Sequence, residues 1–110
     1  EQLAERYRTF AHRCLQAAGE IYRGFVAAGI LAMDEQQIEA LVLNSWIILT
    51  SWVRFLCTVR SNPGDLSEEL MRRGVYQILA LESGYVTDSA RAAVQALLQE
   101  LHVSMDAIVG

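Results

Sequence analysis

His12 and His102 are the only two histidines in the chain, and each could serve as a general base or a metal ligand. A base needs an orienting partner within hydrogen-bond reach. A helical metal site needs a second ligand one turn away. Neither histidine has one, so both read as helix-surface or interface residues. Cys14 and Cys57 could be nucleophiles, but both fall on apolar stripes, where cysteine behaves as an inert small hydrophobe. Two cysteines are also too few for a disulfide scaffold or a zinc site. The carboxylate pairs Glu35/Glu39 and Glu68/Glu69 sit near helix starts, where they complement the dipole and face water. No glycine-rich phosphate loop occurs. Catalytic residues, a metal and a cofactor are therefore not expected.

Polar groups inside an apolar stretch are more informative. Residues 41–59 are apolar nearly all round a helix, yet carry Asn44, Ser45, Thr50, Ser51 and Arg54. Ser and Thr can bond back to the carbonyl one turn earlier. Asn44 lacks that route and is expected to face another helix or line a cavity, because buried polar groups need partners. Trp46 and Thr50 are one turn apart, Val53 and Cys57 extend the same face, and Trp52 lies ~120° away. Aromatic walls with a few polar points build small-molecule pockets. The expected pocket joins Asn44, Trp46, Thr50, Val53 and Cys57 to Cys14, Ala18 and Tyr22 of the first helix. Aromatic core packing predicts the same composition, so a dry core remains the alternative.

These residues need elements to position them. The chain has 110 residues, is 53% hydrophobic and 20% charged, and holds a single proline. That excludes intrinsic disorder and points to one all-α domain over residues 1–110, an antiparallel bundle of about four helices. The net charge of −4 argues against direct binding to nucleic acid. The chain opens on Glu1-Gln2-Leu3, with no Met, no signal peptide and no helix cap. It reads as a fragment entered in mid-helix.

Leu3, Tyr7, Phe10, Cys14, Ala17, Ile21, Phe25 and Ala28 recur at steps of three and four, which predicts a helix over residues 3–28. Gly29 is its expected left-handed cap, with Ile30 and Leu31 folding back beyond it. Asp34 and Gln37 form a capping-box pattern that opens a second helix, to about residue 60. That helix is expected to lie buried at the centre. A membrane span is disfavoured because an Arg near its middle costs ~2.5–3.5 kcal/mol. Residues 61–64 read as a turn. Asp65 with Glu68 is expected to cap a third helix ended by Gly84. Thr87 or Asp88 is expected to cap a fourth. Residues 104–110 give no clear pattern.

Gly74, inside the third helix, costs ~1 kcal/mol relative to Ala, which a close helix approach would offset. Two approaches fit: a second copy of the chain, or the chain's own central helix. The expected two-fold interface takes Leu70, Gly74, Gln77 and Leu81 from the third helix, and Ala90, Val94, Leu97 and Leu101 from the fourth.

Several segments together carry a family resemblance. They are Gly29-Ile30, Met33-Asp34-Glu35-Gln36-Gln37-Ile38, Asn44-Ser45-Trp46-Ile47, Trp52-Val53-Arg54-Phe55-Leu56 and Arg73-Gly74-Val75-Tyr76-Gln77. The sequence resembles the C-terminal effector-binding and dimerisation domain of TetR-family transcriptional repressors, over residues 1–85, with the last helix fitting by position. The resemblance implies a cytoplasmic homodimer whose last two helices pair, and a small apolar effector that relieves repression. It implies DNA contact only through an N-terminal helix-turn-helix outside this chain. A helical interaction domain with no ligand is the alternative.

Overall fold

The structure is a computed structural model that describes residues 1–62 and 64–110. Helix α1 spans Gln2–Ala27, α2 Glu35–Val59, α3 Glu68–Glu82, α4 Arg91–Leu101 and α5 Met105–Val109. Each of the first four packs against its neighbour in sequence, and α5 returns to the end of α2. One isolated bridge, Leu31 to Val86, is the extended pairing among the described residues.

The apolar period of α1 ends where the sequence places its stop. Gly29 has φ +78°, the left-handed conformation glycine adopts without steric cost. The Ile30 N–H then reaches back to the Phe25 carbonyl at 2.9 Å and the Gly29 N–H to Val26 at 3.1 Å. This double bond pattern reverses the chain. Asp34 accepts from the Gln37 N–H at 2.8 Å while Gln37 accepts from the Asp34 N–H at 2.9 Å, completing the box that starts α2.

Three expected boundaries differ. The cap of α3 is Ser67, whose hydroxyl accepts from the Leu70 N–H, and the Asp65 N–H instead closes a turn onto Asn62. Gly84 lies within a short 3₁₀ turn rather than ending α3 in a left-handed cap. Thr87 precedes another 3₁₀ turn, but its hydroxyl donates to the Gly29 carbonyl at 2.6 Å and caps no helix. Of the expected 61–64 turn, Pro63 lies outside the described residues. The unreadable tail forms α5, capped by Ser104 and held by Arg60, which donates to the Ala107 and Ile108 carbonyls at 2.7 and 2.9 Å.

Two separate apolar clusters result. Tyr22, Leu31, Ile38, Leu41, Val42 and Val86 close the corner where α1, α2 and the 3₁₀ turns meet. Leu56, Leu70 and Ile108 join α2, α3 and α5. The helices spread over 43 × 42 Å but only 18 Å in depth. Packed helix axes lie ~8–10 Å apart, so this depth holds at most two layers. The radius of gyration, 15.8 Å, exceeds the ~13 Å of a compact chain of this length.

The expectation that α2 is buried all round therefore fails within this chain. Neighbours flank it, but among the described residues several of its apolar side chains are uncovered: Ile47 and Leu49 are each 59% exposed, and Leu43, Val53 and Phe55 are also exposed. By length and composition α2 would suffice to cross a membrane, although little of it is buried.

Candidate ligand and pairing surfaces

The eight residues of the expected pocket do not enclose a common cavity. Tyr22 is buried, and its hydroxyl shares a 2.7 Å hydrogen bond with the buried Ser45 hydroxyl across α1 and α2. Burial pushes the Tyr22 phenol above its ordinary value. Cys14 and Ala18 are half-buried on the same side of α1. Trp46 is half-buried against Phe10, their ring centres 6.4 Å apart. Thr50, Val53 and Cys57 continue the Trp46 stripe but are exposed, and the Thr50 hydroxyl donates back to the Trp46 carbonyl at 2.7 Å. Asn44 is a correction. It faces solvent about 160° round the helix from Trp46, so no partner or cavity wall is needed. Trp46, Thr50, Val53 and Cys57 thus form one wall of an open angle between α2 and the N-terminal half of α1. Leu3, Tyr7 and Phe10 stand exposed on the α1 side.

Gly74 sits against the chain's own central helix, the second of its two expected approaches. A Cβ there would lie 2.8 Å from Trp52 Cδ1 and 2.9 Å from Cγ. Trp52 also donates its indole N–H to the Leu70 carbonyl at 2.9 Å, locking the ring in the notch. Part of the expected pairing surface is taken up inside the chain. Gly74 and Leu70 are buried against α2, and Leu101 is buried too. Ala90 and Val94 pack on the corner cluster. Gln77 is half-buried and accepts a hydrogen bond from Arg73, which also donates to the Val103 carbonyl at 3.0 Å. Only Leu81 and Leu97 of the eight remain open, at 41% and 42% exposure. His102 lies edge-on against Tyr76, ring centres 5.5 Å apart, and His12 is exposed on α1.

A partly open apolar hollow lies away from the expected pocket. A cavity of about 180 Å³ lies where the ends of α1 and α3 meet α4. Seven apolar residues line it, with Glu82 as the one charged group. Glu82 is 6% exposed, and burial lifts its carboxyl from the usual 4.5 to about 7. The sequence carried a usable sign of it: Glu82 continues the spacing of Met71, Val75 and Ile78, placing a carboxylate on an apolar stripe. Larger hollows along α1, such as that from Gln2 to Arg13, are open surface lined by one helix.

The layout also matches known proteins. A family model described as TetR, bacterial transcriptional repressor, matches residues 1–94. The crystal structure of a TetR-family transcriptional regulator from Marinobacter aquaeolei VT8 superposes with a TM-score of 0.81 and 33% sequence identity. That match covers 93% of this chain and 47% of the other, so this chain spans about half the length of the regulator. No curated protein matches the chain. The family match runs from the first residue into α4, and the same helical layout recurs in that regulator; on both counts the chain belongs to the TetR family of transcriptional regulators.

Proposed function

We propose that this chain is the effector-sensing and pairing part of a TetR-family repressor, acting in the cytoplasm as a homodimer. The observation that carries the reading is the uncovered apolar surface of an 18 Å slab. Soluble proteins rarely leave contiguous apolar patches of this kind without a partner or ligand. The open angle bounded by Phe10, Trp46, Thr50, Val53 and Cys57 supplies one wall of an effector site. The solved regulator is about twice as long, so it has chain enough for a second wall. A small apolar effector seated there would shift the angle between α1 and α2 and release DNA bound elsewhere in the protein. The net charge of −4 fits a part that leaves DNA contact to another segment. Pairing uses the outer sides of α3 and α4, where Leu81 and Leu97 are open and Ala92, Ala93 and Ala96 permit close approach.

The test is sedimentation of the chain and of a Leu81→Glu, Leu97→Glu double variant, with circular dichroism as the folding control. A dimer that dissociates in the folded double variant supports the pairing. A wild-type chain that stays monomeric at every accessible concentration sinks it. One observation favours a ligand-free interaction domain: Thr50 satisfies its hydroxyl within α2 and Asn44 faces solvent. Apolar effectors that leave operator binding by the whole regulator untouched would establish that reading instead.

A further inference from the structure

We propose that the cavity beside Glu82 is a binding site for a small protonated amine with an apolar body, its ammonium paired with the Glu82 carboxylate. This site lies apart from the open angle above, and its occupancy does not depend on that angle sensing an effector. Three things act against the Glu82 anion as it stands. Its side chain is largely buried, with only a small part of the residue left to water. No side chain among the described residues forms an ion pair or hydrogen bond with it. It is also the last residue of α3, where the negative end of the helix dipole opposes a carboxylate. Tyr22, whose phenol senses the Glu82 charge, has its hydroxyl committed to Ser45. A cation in the cavity would relieve all three penalties at once. An anionic ligand would add to them, and a neutral hydrocarbon would leave the carboxylate unpaired.

Shape narrows the class further. The lining is otherwise Phe25, Ile30, Leu31, Leu79, Val86, Val94 and Leu97, with no second polar side chain to orient a sugar, nucleotide or peptide. A volume of about 180 Å³ suits one aromatic ring or a short alkyl chain plus its amine, since a dry cavity of ~150 Å³ holds benzene. Phe25 and Leu97 are partly exposed at its rim, and pairing through Leu97 would leave entry on the Phe25 side. At neutral pH the carboxyl is poised near half ionisation, so an ammonium can draw out its charged form.

Benzylamine and toluene are the probes, titrated into the chain at about pH 8, one unit above the Glu82 value of about 7. Methyl resonances of Leu31, Val86 and Leu97 report occupancy. Benzylamine is expected to bind at least about tenfold more tightly than toluene, a gap of one charge-assisted contact. Glu82→Gln keeps the shape and is expected to erase that preference while toluene still binds. Val94→Phe is expected to exclude both. Equal affinity for the two probes, benzylamine binding that survives Glu82→Gln, or no response at the three methyl-bearing residues overturns the proposal. If Glu82→Gln fails to fold, the wild-type affinity ratio and Val94→Phe still decide it. Failure of the amine site leaves the open-angle proposal standing, because that is read by operator release.

Discussion

The corner around Gly29 and the open angle around Trp46 use the same residue types to opposite effect. At the corner, Leu31, Leu41 and Val86 are buried, and backbone bonds tie distant segments together: Ala32 N–H to Tyr85 at 2.8 Å and Thr87 N–H to Ile30 at 3.0 Å. At the open angle, Leu3, Tyr7 and Val53 are as apolar but exposed, and Phe10 meets Trp46 with ring centres 6.4 Å apart. Apolar composition thus decides which residues seek cover, while chain reversal and long-range backbone bonds decide which ones find it.

Truncation should break the comparison most sharply at the closed side. Leu41→Ala is expected to cost about 3 kcal/mol by chemical denaturation, as for a buried leucine that leaves a cavity. Gly74→Leu should cost about as much through overpacking against Trp52, with no change in oligomeric state by sedimentation; a lost dimer with unchanged stability would move Gly74 to an interface. Glu82 sharpens the comparison through pH. Its folded-state value of about 7 lies above the usual 4.5, so the folded chain holds a proton that the unfolded chain releases. The associated stability is fully present below about pH 4.5 and is lost as pH rises through about 7, a fall on the order of 3 kcal/mol. The groups packed on it from α1, α4 and the 3₁₀ turns are apolar apart from Tyr22, which burial pushes further above that window. Denaturation midpoints of Glu82→Gln should lack this fall. Gly29→Ala should cost about 1 kcal/mol, from a left-handed backbone that alanine resists. Leu49→Ala is expected to change stability by less than about 0.5 kcal/mol; a larger loss would mean that the open side is already covered in solution.

Local chemistry was legible where it acts within one turn. Gly29 after an amphipathic run, and Asp34 three residues before Gln37, named the α1–α2 reversal from spacing alone. The start of α3 was ambiguous for a physical reason: Asp65 and Ser67 are both good cap residues, and the turn onto Asn62 consumes the first. Helix α5 was invisible because five residues carry too short a period, and the Arg60 that secures its end lies 47 positions away. Which face of α2 finds cover was equally non-local. Helical arithmetic alone already sets Asn44 nearly half a turn from Trp46, off the Trp46 face. Glu82 was legible as a carboxylate on an apolar stripe, but its cavity depends on Phe25 and Leu97, which only the fold brings together.

The Trp52–Gly74 notch has an optical consequence. The chain has two tryptophans. Trp52 is wedged on a glycine, with its indole N–H committed to the Leu70 carbonyl. Trp46 is half-buried and tilts against the exposed Phe10 ring. Both indoles are half-buried, so position rather than exposure gives their emission separate meanings. With Trp46 replaced by Phe, the remaining emission is expected to follow the integrity of the helix crossing. With Trp52 replaced instead, it is expected to follow whatever comes to rest in the open angle, so an unlabelled chain carries its own gauge of occupancy beside its own gauge of folding.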